Sequence, residues 1–69
     1  MIKTNLREKR KKHGKGISQG QLANAVGVSR FCISKIENEH TSPSAELMFK
    51  IARYLGYRIE DIFELADEE

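Results

Sequence analysis

At 69 residues the chain has room for one small domain, residues 1–69, and for no second one. Its single cysteine, Cys32, rules out an internal disulfide, and its longest apolar runs, Phe31-Cys32-Ile33 and Leu47-Met48-Phe49, are far too short to span a membrane. Basic residues near the N-terminus are not followed by the apolar segment of a secretory signal, so a reducing, cytoplasmic setting without a membrane partner is expected.

The net charge of +2 conceals an asymmetry. Residues 1–53 hold eleven Lys/Arg against four Asp/Glu, a balance of +7, and residues 54–69 hold one Arg against six acids, a balance of −5. A basic face for a polyanion with an acidic end kept away from it fits that pattern, although a charge run is also what a solvated face looks like.

Taken in chain order, the elements read as short helices. The first is predicted from Thr4 or Asn5 to His13, stopped at Gly14, with an inward stripe of Leu6, Lys9 or Arg10, and His13. The second opens with Ser18-Gln19-Gly20-Gln21, a capping box in which the Ser18 hydroxyl and the Gln21 side chain satisfy each other's backbone amides. Leu22, Ala25 and Val26 recur at helical spacing, and Gly27 ends the helix where positive φ is easiest without a Cβ. Ser29 caps the third helix, which runs to near Asn38. Ile33, Ile36 and Glu37 fall on one of its faces, and Arg30, Phe31, Ser34 and Lys35 toward the other. After Pro43-Ser44, a broad stripe of Leu47, Met48, Ile51, Ala52 and Leu55 marks the fourth helix, closed by Gly56. A fifth, short helix is predicted from Ile59 to Phe63, with Glu60 and Asp61 suited to its positive end. At the termini, Ile2 and Thr4 alternate with polar neighbours, as do Phe63 and Leu65. They are able to form a very short antiparallel ladder or to fray.

The decisive feature is a pair of helices joined by Gly27-Val28-Ser29 alone. So short a turn forces a steep crossing. Ala23 is small enough for the crossing point, Val28 is able to plug the turn, and Leu22, Val26, Ile33 and Ile36 join the two helices. Residues 18–38, SQGQLANAVGVSRFCISKIEN, resemble the helix-turn-helix of the Cro and phage-repressor (XRE-like) family, with the motif at about 19–38. The likeness continues through SPSAELMFKIARYLG and IEDIF, nearly the whole chain.

That resemblance implies an all-α, five-helix domain whose second motif helix, at about 29–38, lies in the major groove while the first crosses the backbone. It implies that Gln19 touches a phosphate and braces the reading residues. It also implies that Ser29, Arg30, Phe31, Ser34 and Lys35 are reading positions, and that Asn38, His40, Thr41 and Ser42 lie along the DNA backbone. The residue chemistry agrees: Arg30 and Lys35 are suited to guanine O6 and N7, Phe31 to a thymine methyl, and the Ser29 and Ser34 hydroxyls to phosphates or bases. For Phe31, partial core packing is the competing expectation; for Arg30 and Lys35 it is a solvated face, and His40 reads better as a solvated loop residue. Lys9, the extra Lys15-Gly16, and Arg58 in place of a capping hydroxyl depart from the family pattern.

Spacing raises one further expectation. Arg10 lies four residues after Leu6 and Glu37 four after Ile33, so both fall on inward faces, where an unpaired charge is costly. They are expected to meet as a shielded bidentate pair, with a spare Arg10 N–H for a phosphate; the alternative is that Arg10 reaches out to solvent. The family commonly carries an Arg and a Glu at the matching positions.

No catalytic set, metal site or cofactor is predicted: His13, His40 and Cys32 lack partners at ligand spacing, and Gly14-Lys15-Gly16 is too short to cradle a phosphate. Cys32 is expected to pack at the margin of the third helix. The expected function is therefore a sequence-specific transcriptional regulator, a repressor on double-stranded operator DNA. It would act as a homodimer on an inverted repeat, with Ile62 to Ala66 as candidate dimer contact. The alternative is an antitoxin-like or bridging protein-interaction module using the acidic tail Asp67-Glu68-Glu69.

Overall fold

A computed structural model describes residues 2–65. The elements are β1 (Ile2–Thr4), α1 (Leu6–Lys12), α2 (Gln19–Val26), α3 (Arg30–Glu37), α4 (Ala45–Leu55), α5 (Ile59–Ile62) and β2 (Phe63–Leu65).

Local chemistry sets most of these boundaries. Ser18 Oγ accepts from the Gln21 amide at 3.0 Å, and the Gln21 side chain accepts from the Ser18 amide at 2.8 Å. Ser29 and Ser44 cap α3 and α4 with the hydroxyl alone, accepting from the Cys32 and Leu47 amides at 3.1 Å each. Gly27, at φ 82°, ends α2, and the amides of Gly27 and Val28 both donate to the Ala23 carbonyl.

The end of α3 uses the same closure with a less usual residue. The Glu39 amide donates to Ile36 and the His40 amide to Lys35, at 3.0 and 2.9 Å, which is a Schellman closure. Its left-handed position is held by Glu39 at φ 60°, where a side chain costs roughly 1–2 kcal/mol relative to an ordinary conformation.

α2 packs on both α3 and α4. Leu6, Leu22, Ile33, Ile36, Ile51 and Ile62 are completely enclosed, and Ala23, Val26, Ala52, Leu55 and Phe63 complete the core. Val28 and Cys32 pack half-buried against it.

The terminal strands pair antiparallel, Ile2 opposite Leu65, Lys3 opposite Glu64 and Thr4 opposite Phe63. Thr4 therefore belongs to β1 and not to the first helix, and Asn5 stands at the N-cap of α1 without a side-chain cap bond. Phe63 opens β2 rather than ending α5, its backbone being extended. Ala25 is exposed, because the buried stripe of α2 passes through Leu22, Ala23 and Val26. Ile62 and Phe63 fill the core of one copy, which removes them as a dimer contact. Ala66 and the acidic residues Asp67, Glu68 and Glu69 lie outside the described residues.

Candidate nucleic-acid interface

The two faces of α3 have opposite characters. Ile33 and Ile36 point into the core. Arg30, Phe31 and Lys35 are exposed, with Ser29 beside them at the N-cap and Ser34 half-buried. Phe31 keeps 70% of its surface open, so its ring is not a core residue. The Lys35 ammonium sits 5.2 Å from that ring's centroid, a cation–π contact between residues one turn apart. Asn38, His40 and Thr41 are exposed beyond the helix end.

Behind this face a polar network joins α1, α2 and α3. The Glu37 side chain has no exposed surface and that of Arg10 only 9%. Arg10 Nε donates to Glu37 Oε2 at 2.6 Å and Nη2 to Oε1 at 3.2 Å, a fork-on-fork pair. Arg10 Nη1 donates to the Ile17 carbonyl at 2.7 Å, and Gln19 Nε2 donates to Glu37 Oε1 at 3.0 Å. Arg7 Nε stands 3.6 Å from the same oxygen, its own side chain mostly exposed. Burial pushes the Glu37 carboxyl toward its neutral form. The hydrogen bonds from Arg10 and Gln19, with the charges of Arg10 and Arg7, outweigh it and hold the pKa below the usual glutamate value. Among the described residues no buried side-chain polar atom lacks a partner. An open depression of about 330 Å³ lies at the start of α2, lined by Arg10, Ser18, Gln19, Gly20 and Arg30.

Residues 6–62 match the helix-turn-helix family. The chain belongs to that family. Among its relatives is an uncharacterised helix-turn-helix-type transcriptional regulator of Archaeoglobus fulgidus, 44% identical over 68 residues, which cover 99% of this chain and 94% of that protein. Another, from Methanocaldococcus jannaschii, is 47% identical over 53 residues, 77% of this chain and 80% of that one. Among solved structures, that of the P22 c2 repressor protein in complex with a synthetic operator superposes with a TM-score of 0.72 at 33% identity, covering 80% of each chain.

α2 and α3 are joined by Gly27-Val28-Ser29 alone, the helix pair expected to form the motif. The architecture, five helices with a small terminal ladder, is that of the repressor-like DNA-binding domains. The structure brings Arg10, Gln19 and Arg30 together around one depression, while Phe31 and Lys35 pair further along α3. Asn38 and Thr41 stand apart from both groups, in the segment that follows the helix.

Arg7 and Gly20 escaped the sequence reading. Arg7 had a usable signal, since it precedes Arg10 by three residues and so shares its helix face. Gly20 had a weaker one: it is the only residue without a side chain in the first turn of α2, and it lines the depression there.

Proposed function

We propose that this protein binds a specific double-stranded DNA site with α3 in the major groove and represses transcription by occupying it. The observation that carries this reading is the exposed, hydrogen-bonding outer face of α3 on a helix whose inner face is anchored by a fully satisfied buried network. Arg30 and Lys35 supply donors for base edges, and Phe31 an apolar surface for a thymine methyl. Ser29 and Ser34 add hydroxyls, and Asn38 and Thr41 extend toward the backbone. The depression at the start of α2, lined by Arg10, Ser18, Gln19, Gly20 and Arg30, is the seat we assign to a phosphate.

One copy contacts too few base pairs for a useful preference within a genome, and a symmetric dimer doubles them. With Ile62 and Phe63 buried, the contact moves to a groove of about 420 Å³ between α4 and α5. Phe49, Ala52, Tyr57 and Ile59 form its apolar part, and Arg53, Arg58 and Glu60 give it charges of both signs. Phe49 is 55% exposed there. With a two-fold axis through this groove, the operator would be an inverted repeat with half-sites about 34–36 Å apart.

Selection of bound sequences from random duplex DNA tests the reading. An inverted repeat is the expected product, and recovery of no preferred sequence would remove the function. On the selected site, Arg30→Ala and Lys35→Ala should each weaken binding by about 1–3 kcal/mol and relax base preference. Gln19→Ala should weaken matched and mismatched sites alike.

A further inference from the structure

The closure of α3 uses a glutamate where glycine fits without strain. A Gly at position 39 would take the left-handed conformation freely and make the same two backbone hydrogen bonds. The side chain must therefore matter for something other than the turn.

Its contact is with the far end of the chain. Glu39 Oε2 accepts from the Thr4 amide at 3.1 Å. Thr4 is the last residue of β1, and its amide points away from β2 toward α3. Left alone, that amide would be an unpaired edge donor of a two-stranded ladder. Thr4 is also a junction: its hydroxyl donates to the Ile62 carbonyl at 3.1 Å and accepts from the Leu6 amide at 3.0 Å. The neighbouring Asn5 amide donates to the same Ile62 carbonyl at 2.7 Å. The carboxylate thus joins the end of α3 to β1 at Thr4, whose own hydroxyl links β1 to the start of α1 and the end of α5.

We propose that Glu39 is a positioning residue for DNA recognition. It fixes the C-terminal end of α3 against the terminal ladder, as Glu37 fixes its inner face against α1 and α2. Two anchors are what a reading helix needs. Ile33 and Ile36 hold the middle of α3 in the core, and the tie at Glu39 limits movement of its C-terminal end, where base-edge hydrogen bonds weaken steeply with misalignment. The tie has a second effect. Asn38, His40 and Thr41 flank Glu39 in the segment proposed to follow the DNA backbone, and a free carboxylate there would face phosphates. The Thr4 amide occupies it instead.

The proposal rests on the DNA-binding reading, and its test separates the two. Parent, Glu39→Gly and Glu39→Gln proteins are compared at a temperature where circular dichroism shows all three fully folded. Hydrogen exchange reads the tie: the Thr4 amide should exchange at least about tenfold faster in Glu39→Gly, and near the parent rate in Glu39→Gln, whose side-chain oxygen still accepts. Gel-shift titration on the selected site and a mismatched one reads positioning. Glu39→Gly should lose about three- to tenfold of the specificity ratio, with Glu39→Gln restoring most of it. Stronger binding by both variants would mean that Glu39 only repels phosphate, and would overturn the proposal. So would faster Thr4 exchange with an unchanged specificity ratio, or unchanged exchange in Glu39→Gly. A parent that selects no duplex sequence would remove the DNA reading and the positioning role with it, while Thr4 exchange would still report the tie.

Discussion

α1 and α4 are seated on the same core by different forces. α4 presents Ile51, Ala52 and Leu55 to the interior, all apolar and all buried. α1 presents Leu6 and then a charge, Arg10. Around that charge its remaining contacts are directional: the fork on Glu37, the Arg10 bond to the Ile17 carbonyl, and Lys9 Nζ at 4.8 Å from the centre of the Tyr57 ring. His13 adds a tilted stack on Tyr54, with ring centres 5.8 Å apart. Apolar burial is non-directional and supplies stability with little control of orientation. A forked ion pair holds its partners in one geometry. The helix that needs orientation is α3, and the carboxylate that provides it, Glu37, belongs to α3. On the proposed function, the polar seat of α1 serves as the brace of the reading helix, and the apolar seat of α4 as the mass it is braced against.

The largest expected effect comes from removing the centre of the brace. Glu37→Ala leaves Arg10 buried without its partner and should cost about 3–5 kcal/mol, as breaking a buried pair does. A core this small supplies only a few kcal/mol, so the variant should be barely folded. Replacing both partners by apolar residues, Arg10→Met with Glu37→Leu, should recover folding and leave DNA binding weak. Urea titration followed by circular dichroism gives the stabilities. A Glu37→Ala midpoint within about 0.5 kcal/mol of the parent would show that the two seats are not different in kind.

Acid should act on the brace before it acts on the apolar seat. The folded-state pKa of Glu37 lies below its unfolded value near 4.5. Its contribution is therefore complete above the unfolded value and is lost as pH falls through the folded one. Urea midpoints of the parent should drop between neutral pH and the range below 4.5, and those of the Arg10→Met/Glu37→Leu protein should drop less. Equal acid sensitivity in the two proteins would place the effect on other carboxylates.

A change in the apolar seat should be smaller and should spare recognition. Ile51→Val removes one methylene from a completely buried site and should cost about 0.5–1.5 kcal/mol. At a temperature where the protein remains folded, its preference for the selected DNA site should equal the parent's. A relaxed preference would mean that orientation of α3 depends on α4 as much as on α1.

The same contrast explains what was legible in the sequence. The Ser18–Gln21 box, the Ser29 cap and the Gly27 stop all follow from chemistry within four residues, and all are present. The apolar stripe of α4 was legible for the same reason, because burial follows the helical period. Contacts of the polar seat were less so. Lys9 looked like a misfit in an apolar stripe, yet it packs on Tyr57, a residue 48 positions away that no periodicity connects to it. The inward placement of Arg10 and of Glu37 follows from spacing after Leu6 and Ile33, but the 2.6 Å contact depends on how α1 crosses α3. Ile62 and Phe63 read as spare from the sequence because α5 is a single turn, too short to show which way it faces. The ladder draws Phe63 over the core and removes it from the surface.

The smallest expected effect on stability tests whether burial alone divides the brace. Arg7 and Arg10 address the same carboxylate oxygen, but with different surroundings. Arg10 is enclosed, and its side chain makes three hydrogen bonds. Arg7 stands 3.6 Å away with 58% of its side chain in solvent, where water screens the attraction and ordering a long side chain offsets part of it. Arg7→Ala should therefore change urea stability by no more than about 0.5 kcal/mol. If the exposed Arg7 guanidinium meets a phosphate in the proposed complex, the variant's DNA affinity should fall more visibly. If it does, binding should weaken evenly across matched and mismatched sites, and the salt dependence should lose about one unit of slope. A stability loss above about 1 kcal/mol would show that the exposed arginine carries part of the fold. An unchanged salt slope would confine phosphate contact to the depression at the start of α2.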